Sequence, residues 1–433
     1  MRITRTVAVL ISVACVPWVS RAADVQVTSS TQFLWYQDYL SSDKNQYDAA
    51  ELLRMNVTNI DGQGKVNVYG YGRIDRQLST SVEPHGNQLF NDYWNGRLYY
   101  FYLDYQDAVP GHLDLRAGRT YVPAAALPGT IDGLYFNVKN LGPGLGATAF
   151  GGRRVIFDNK GEVGTAQDTL WGASVYLDTV KLTHAELSYA RQYSGSSPSG
   201  TEVLSYLGQE SVALDLSTTP HEMVNILGRA KYDLVSDRFS EVFIVANVTP
   251  IKQLVLSGEY YNSTPTFDQF SFYRFFNVNH YQQLSLGVEV RPSTELRVHA
   301  KYAHEDFGDS GTAERFDAGV TWRPIANLVL DASFERRFGY AGEISGLRGN
   351  ASYRIAKATL LAGADYDDFG RDNSGYGLPV AGSSTYQGTA KKYWAGFNYD
   401  FNTIFSAVVR AEDNLNFYFS HAYQGFAALN VHI

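Results

Sequence analysis

The sequence predicts an all-β fold, a transmembrane antiparallel up-and-down β-barrel of about 22 strands. Three observations lead there. After residue 24 hydrophobicity alternates with a period of two, the mark of strands with one apolar face. The apolar faces run about ten residues, the length a tilted strand needs to cross hydrocarbon. Tight connections alternate with longer ones, as when one rim of a barrel carries turns and the other loops.

Composition agrees with this. The 433 residues include 31 Tyr, 24 Phe, 6 Trp and 39 Gly, yet mean hydropathy is only -0.23. Such a chain is rich in strand-favouring aromatics without being hydrophobic throughout. A net charge of -8 leaves no basic footprint for nucleic acid. No long helical pattern follows the N-terminus, which excludes an ordinary α/β enzyme.

The N-terminus, "MRITRTVAVLISVACVPWVSRAAD", reads as an export signal. Arg2 and Arg5 precede an apolar core from Val7 to Val19, and Ser20-Arg21-Ala22 supplies the small residues of a cleavage site. Residues 1–22 are therefore expected to be a signal peptide and 23–433 a single barrel domain. Cleavage removes Cys15, the only cysteine, so the mature chain can hold no disulfide, thiolate metal site or haem attachment. No cofactor is expected.

In order, strands are expected at 25–36, 49–59, 64–77, 95–106, 111–121, 130–139, 145–157, 169–178, 181–193, 209–217 and 222–234. They continue at 238–249, 252–262, 280–291, 294–305, 313–323, 326–338, 346–354, 357–367, 389–401, 404–413 and 421–433. The segments at 130–139 and 209–217 are the weakest, and if such segments belong to loops the count falls toward 16. Every second connection is tight, as in "DGQG", "DAVPG", "NLGPG", "RPST" and "DFNT". These are the expected periplasmic turns. Most of the others are longer, at 79–94, 194–208, 263–279 and 369–388, with "VSDR" at 235–238 as a short exception.

One cadence recurs. Four, six, eight and ten residues after Pro324 stand Leu328, Leu330, Ala332 and Phe334; the same offsets from Pro250, Pro292 and Ala356 give similar residues. Each copy reads as a turn, a lipid-facing climb and an aromatic at the far interface. The chain ends on another apolar face, Ala427, Leu429, Val431 and Ile433.

The opposite face carries the charges. The expected lumen-facing set is Arg73, Arg97, Asp114, Arg116, Arg229, Glu259 and Glu289, followed by Arg297, Lys301, Asp331, Arg337, Arg354 and Arg410. Arg or Lys costs roughly 2–4 kcal/mol at the bilayer midplane, so these side chains should face water or each other. Other chemistry is poorly supported. His299 and His304 point to opposite faces of one strand and cannot chelate together. "DYDDFGRDNSG" (365–375) lacks the Glu that completes a calcium loop and reads as an outer loop. His184 with Glu186, or His112 with Asp114, is a pair common in any polar lumen, so no enzyme is expected.

The segment "GHLDLRAGRTYVPAAALPGTIDGLYF" (111–136) resembles the strand and constriction loop of porins. Gly118, Arg119 and Tyr121 match the Gly-Arg-aromatic sequence, followed by Pro123 to Gly129 and by Asp132-Gly133. The likeness covers about 25 residues. The intervening stretch is shorter than a porin's constriction loop and lacks its acidic cluster. The resemblance implies a segment folded into the pore, with Arg119, Tyr121 and Asp132 at a constriction. It implies an outer-membrane channel in a Gram-negative bacterium, passing small hydrophilic solutes or ions, with membrane lipid and a homotrimer as partners. The lean loops and aromatic content are also similar to the barrels of porin–cytochrome conduits. That likeness implies an alternative: a sheath around a periplasmic partner such as a multihaem cytochrome.

Overall fold

Alternation becomes one continuous antiparallel sheet in the computed structural model, which describes residues 23–38, 44–78, 94–158, 161–163, 168–180, 182–196, 204–266, 280–340, 342–372, 385–416 and 420–433. The expected signal peptide lies outside the described residues. The wall begins with β1 (Asp24–Asp38), β2 (Lys44–Thr58), β3 (Val66–Gln77), β4 (Trp94–Val109), β5 (Leu113–Val122) and β6 (Gly129–Gly142). Next come β7 (Leu145–Asp158), the short β8 (Gly161–Val163), β9 (Thr169–Val180), β10 (Thr183–Ser196), β11 (Leu204–His221) and β12 (Val224–Asp233). Strands β13 (Arg238–Ile251), β14 (Leu254–Ser263), β15 (Tyr281–Val290), β16 (Leu296–Asp306), β17 (Thr312–Ile325) and β18 (Leu328–Gly339) follow. The last are β19 (Glu343–Ile355), β20 (Ala358–Asp372), β21 (Thr385–Asp400), β22 (Phe405–Leu415) and β23 (Ala422–His432).

Strand β8 pairs only with β7, and β7 pairs directly with β9, so the closed wall has 22 strands. Closure falls between the chain's ends: β1 runs antiparallel to β23 from Thr28 opposite His432 to Tyr36 opposite Gln424. Val27 and Ile433 exchange both backbone hydrogen bonds at 2.8 Å, which leaves no open edge there. The two weakest expected segments are full wall strands, β6 and β11, each paired on both sides.

The strands also run further than expected. Residues 194–196 pair with 204–206, and 369–372 pair with 385–388, although both pairs of stretches read as loop. The acidic stretch read as an outer loop is paired wall from Asp365 to Asp372; its remainder lies outside the described residues. A strand continuing past the hydrocarbon needs no apolar face, so the alternation stops while the backbone ladder goes on. Loop lengths are less strictly sorted than expected, since 307–311 and 340–342 are short connections on the long-loop rim.

Local side chains shape the turns. Asp61 Oδ1 accepts hydrogen bonds from the backbone N–H groups of Gln63, Lys65 and Val66, and Asn59 and Asn140 take the positive φ that their residue type tolerates. Ala356, at φ 51°, holds the same conformation with a Cβ in the two-residue turn between β19 and β20. Ala356→Asn is expected to stabilise the barrel by about 1 kcal/mol. A raised urea midpoint of the refolded protein is the check.

Candidate functional site

The two faces of the wall separate by chemistry. On β16, Val298 and Tyr302 are exposed on one face, while Arg297, His299 and Lys301 occupy the other. The charged face is the concave one. Lys301 Nζ on β16 reaches Glu259 Oε2 on β14 at 2.7 Å, across β15, and Arg337 Nε on β18 reaches Glu305 Oε2 on β16 at 2.8 Å, across β17. Side chains two strands apart converge inside a closed sheet and splay apart outside it. The convex face carries residues such as Leu286, 62% exposed, and Leu347, 56% exposed. Leu286→Arg is expected to cost about 2–4 kcal/mol in lipid. Refolding titrations into vesicles check it.

The tip of the hairpin within 111–136 leaves the wall. Gly118 sits at φ 123°, where a Cβ would lie 2.4 Å from the Phe101 carbonyl oxygen. Gly133 and Gly152 face each other so closely that a Cβ on either would meet the other's strand backbone within 2.6 Å. Beyond these glycines β5 loses its pairing to β4 while keeping β6, and the hairpin tip turns into the barrel. Val122, Ala124, Ala125, Ala126, Leu127 and Ile131 are buried against Phe150, Leu170, Ala190 and Ala213. Ala190 and Ala213 alternate with the exposed, outward Leu187 and Leu214, so they belong to the inner wall. The Ala126 N–H donates to Ser188 Oγ on β10 at 3.0 Å. Arg119 donates to both oxygens of Asp132 at 2.8 and 2.9 Å and to the Leu98 carbonyl at 2.8 Å, holding the bend to β4. Tyr121 is 55% exposed and comes within electrostatic reach of Arg229 on β12.

No family model and no curated protein matches the chain. Among solved structures it is similar to a mutant of the ferric enterobactin receptor PfeA from Pseudomonas aeruginosa, with a TM-score of 0.60 and 10% identity over 95% of this chain and 80% of that one. The fold is that of an outer-membrane β-barrel. Weaker likenesses are the P pilus usher PapC translocation pore (TM-score 0.47, 8% identity, 94% and 99% covered) and OccK3 from Pseudomonas aeruginosa (0.44, 9%, 95% and 96%).

The charges expected to face the lumen have the following neighbours in the wall. Arg73 lies opposite Arg97 across β3 and β4, with Asp75 3.3 Å from Arg73 Nε. Arg116 pairs with Asp104 at 2.9 Å, and Lys139 bridges Asp107 and Asp114 at 2.8 and 2.7 Å. Asp114 therefore engages Lys139, not His112, while His184 Nδ1 lies 2.6 Å from Asp178 and Nε2 3.7 Å from Glu186. Arg229 grips Asp215 at 2.7 and 3.2 Å. Glu289 pairs with Arg291, and Arg410 with Glu412. Arg297 donates to Thr321, which itself donates to Asp331. Arg354 lies on the same face at the turn rim, next to the outward Tyr353. Among the described residues no group of His, Asp and Glu is placed to hold a metal ion.

Sequence reasoning missed the inward aromatics. Tyr71 stacks on Tyr99 at 4.8 Å and lies 5.8 Å from Tyr100, and Tyr69 lies 5.3 Å from Tyr102. Arg54 stands over Tyr71 and Arg116 over Tyr102 and Tyr135, which keeps cations against ring faces on the inner wall. The signal was there in "YYFYLDY", where Phe101, Leu103 and Tyr105 claim the outward face and leave Tyr100 and Tyr102 to the inner one.

Proposed function

We propose that this barrel is an outer-membrane channel of a Gram-negative envelope, passing small hydrophilic solutes and ions passively through a charged aqueous lumen. The carrying observation is the direction of its ion pairs. Those described join residues on the same, adjacent or next-nearest strands, and among the described residues none crosses the barrel. Charges knit along the wall leave the centre to water. A round barrel of 22 strands, about 4.8 Å apart and tilted about 40°, has a backbone diameter of roughly 40 Å. The buried segment 122–131 narrows that lumen from one side, with Arg119, Tyr121 and Asp132 on its bend. A hydrated, charged passage lowers the barrier to a polar solute. Purified protein in planar bilayers should give discrete conductance steps; their absence at every voltage would remove this reading.

The width favours one further reading. Barrels of 16–18 strands already enclose aqueous channels, and 22-stranded ones elsewhere are plugged. A lumen this wide suits a sheath around a periplasmic partner, such as a multihaem cytochrome. Haem absorbance that co-purifies with the barrel would support the sheath, and a haem-free, conducting preparation would support the open channel.

A further inference from the structure

A row of rings descends the inner wall. Tyr340 and Phe307 follow the ends of β18 and β16, and Tyr281 begins β15, so all three stand at the long-loop rim. Ring centroids are 4.9 Å apart from Tyr340 to Phe307, 5.1 Å to Tyr281, 5.9 Å to Tyr261 and 6.3 Å to Phe243. The row ends in a cavity of about 530 Å³ that Phe243 and Tyr261 line together with Leu227, Arg229, Asp215 and His184.

We propose that this cavity and the row leading to it bind neutral saccharides on their way through the lumen. The assignment rests on the channel reading above and names its solute. Two features select the chemistry. Phe243, Tyr261 and Leu227 offer an apolar platform whose two rings meet edge to face at 70°, and an electron-rich ring face attracts the slightly positive C–H edge of a pyranose. Around the platform, charges are matched in pairs: Arg229 with Asp215, Lys231 directly opposite Glu241, and Lys301 with Glu259. Paired charges give no net field to hold an ion, but they present fixed donors and acceptors beside one another for vicinal hydroxyls. A neutral ring with one apolar face and a hydroxyl rim meets both demands. Rings spaced 5–6 Å apart let such a ligand gain one contact before losing the last.

Maltohexaose and cellohexaose are the probes, with polyethylene glycol of matched size as control. Added to a conducting bilayer, at least one sugar should interrupt the ion current saturably, at concentrations where the polymer does not. The double variant Phe243→Ala/Tyr261→Ala should raise the half-blocking concentration roughly tenfold. Tyr261→Phe, which keeps the ring, should stay near wild type and controls for folding. Current blocked no better by sugar than by polymer, or block unchanged in the double variant, overturns the proposal. Calorimetric titration of the detergent-solubilised barrel separates the two readings: sugar binding without conductance defeats the channel and keeps the site. Conductance without sugar binding does the reverse.

Discussion

Gly133→Ala is expected to detach residues 122–131 from the inner wall and to raise single-channel conductance. The new Cβ would lie 2.2 Å from the Gly151 carbonyl oxygen and 2.6 Å from the Gly152 Cα. Both are backbone atoms, so no rotamer relieves the contact, and β6 must part from β7 at the bend. Overpacking of this kind costs about 3 kcal/mol or more. It also breaks the ladder that carries Asp132 and Ile131 opposite Arg153 and Arg154, and with it the seating of Ile131 against Leu170. The mature chain is expected to lack cysteine, which gives a direct readout. Ala126 is fully buried, so Ala126→Cys should resist maleimide in the parent barrel and react quickly when combined with Gly133→Ala. Gly349→Ala is the control, because nothing lies within 4 Å of its Cβ position, and its effect should stay within about 0.5 kcal/mol. Equal labelling rates with and without Gly133→Ala would show that the glycine does not set the bend.

That hairpin marks how far the sequence is legible. The wall could be read because lipid demands an apolar residue at every second position, and 22 expected segments correspond to 22 strands. Gly118, Arg119 and Tyr121 stood out by resemblance, yet the surface receiving them did not. Leu170, Ala190 and Ala213 are small or apolar residues on a face expected to be polar, and nothing local distinguishes a wall alanine facing water from one facing a folded-in loop. Glu305 and Asp215 were overlooked for a different reason. Glu305 closes a strand above the apolar band, and Asp215 lies in a segment of weak alternation, where the face of a charge is hard to assign. Inner tyrosines were hidden because aromatics are expected at both interfaces of the outer face. Which side of the wall a ring faces is fixed by register, set here by the bulge between Tyr71 and Gly72 that turns both Tyr99 and Tyr100 inward.

Glu305→Leu is expected to destabilise the barrel by about 3–5 kcal/mol, among the largest effects of any inner-wall substitution. The Glu305 side chain is 5% exposed and sits between Arg337 Nε at 2.8 Å and Arg315 Nη1 at 3.5 Å. Arg337 is itself 15% exposed and stacks under Phe307, so it cannot swing into the lumen to recover water. Removing the carboxylate leaves a buried cation facing a second one. The same change at Asp215 should cost less than about 1 kcal/mol, because Arg229, although gripped at 2.7 Å, is 44% exposed and rehydrates. Two ion pairs of nearly equal length thus differ severalfold through burial alone. Urea titration of the refolded barrels measures both, and the double variant Glu305→Leu/Arg337→Met should recover much of the loss by removing the stranded charge along with its partner. If Glu305→Leu proves no more costly than Asp215→Leu, water reaches Arg337 and the upper inner wall is wetter than its packing implies.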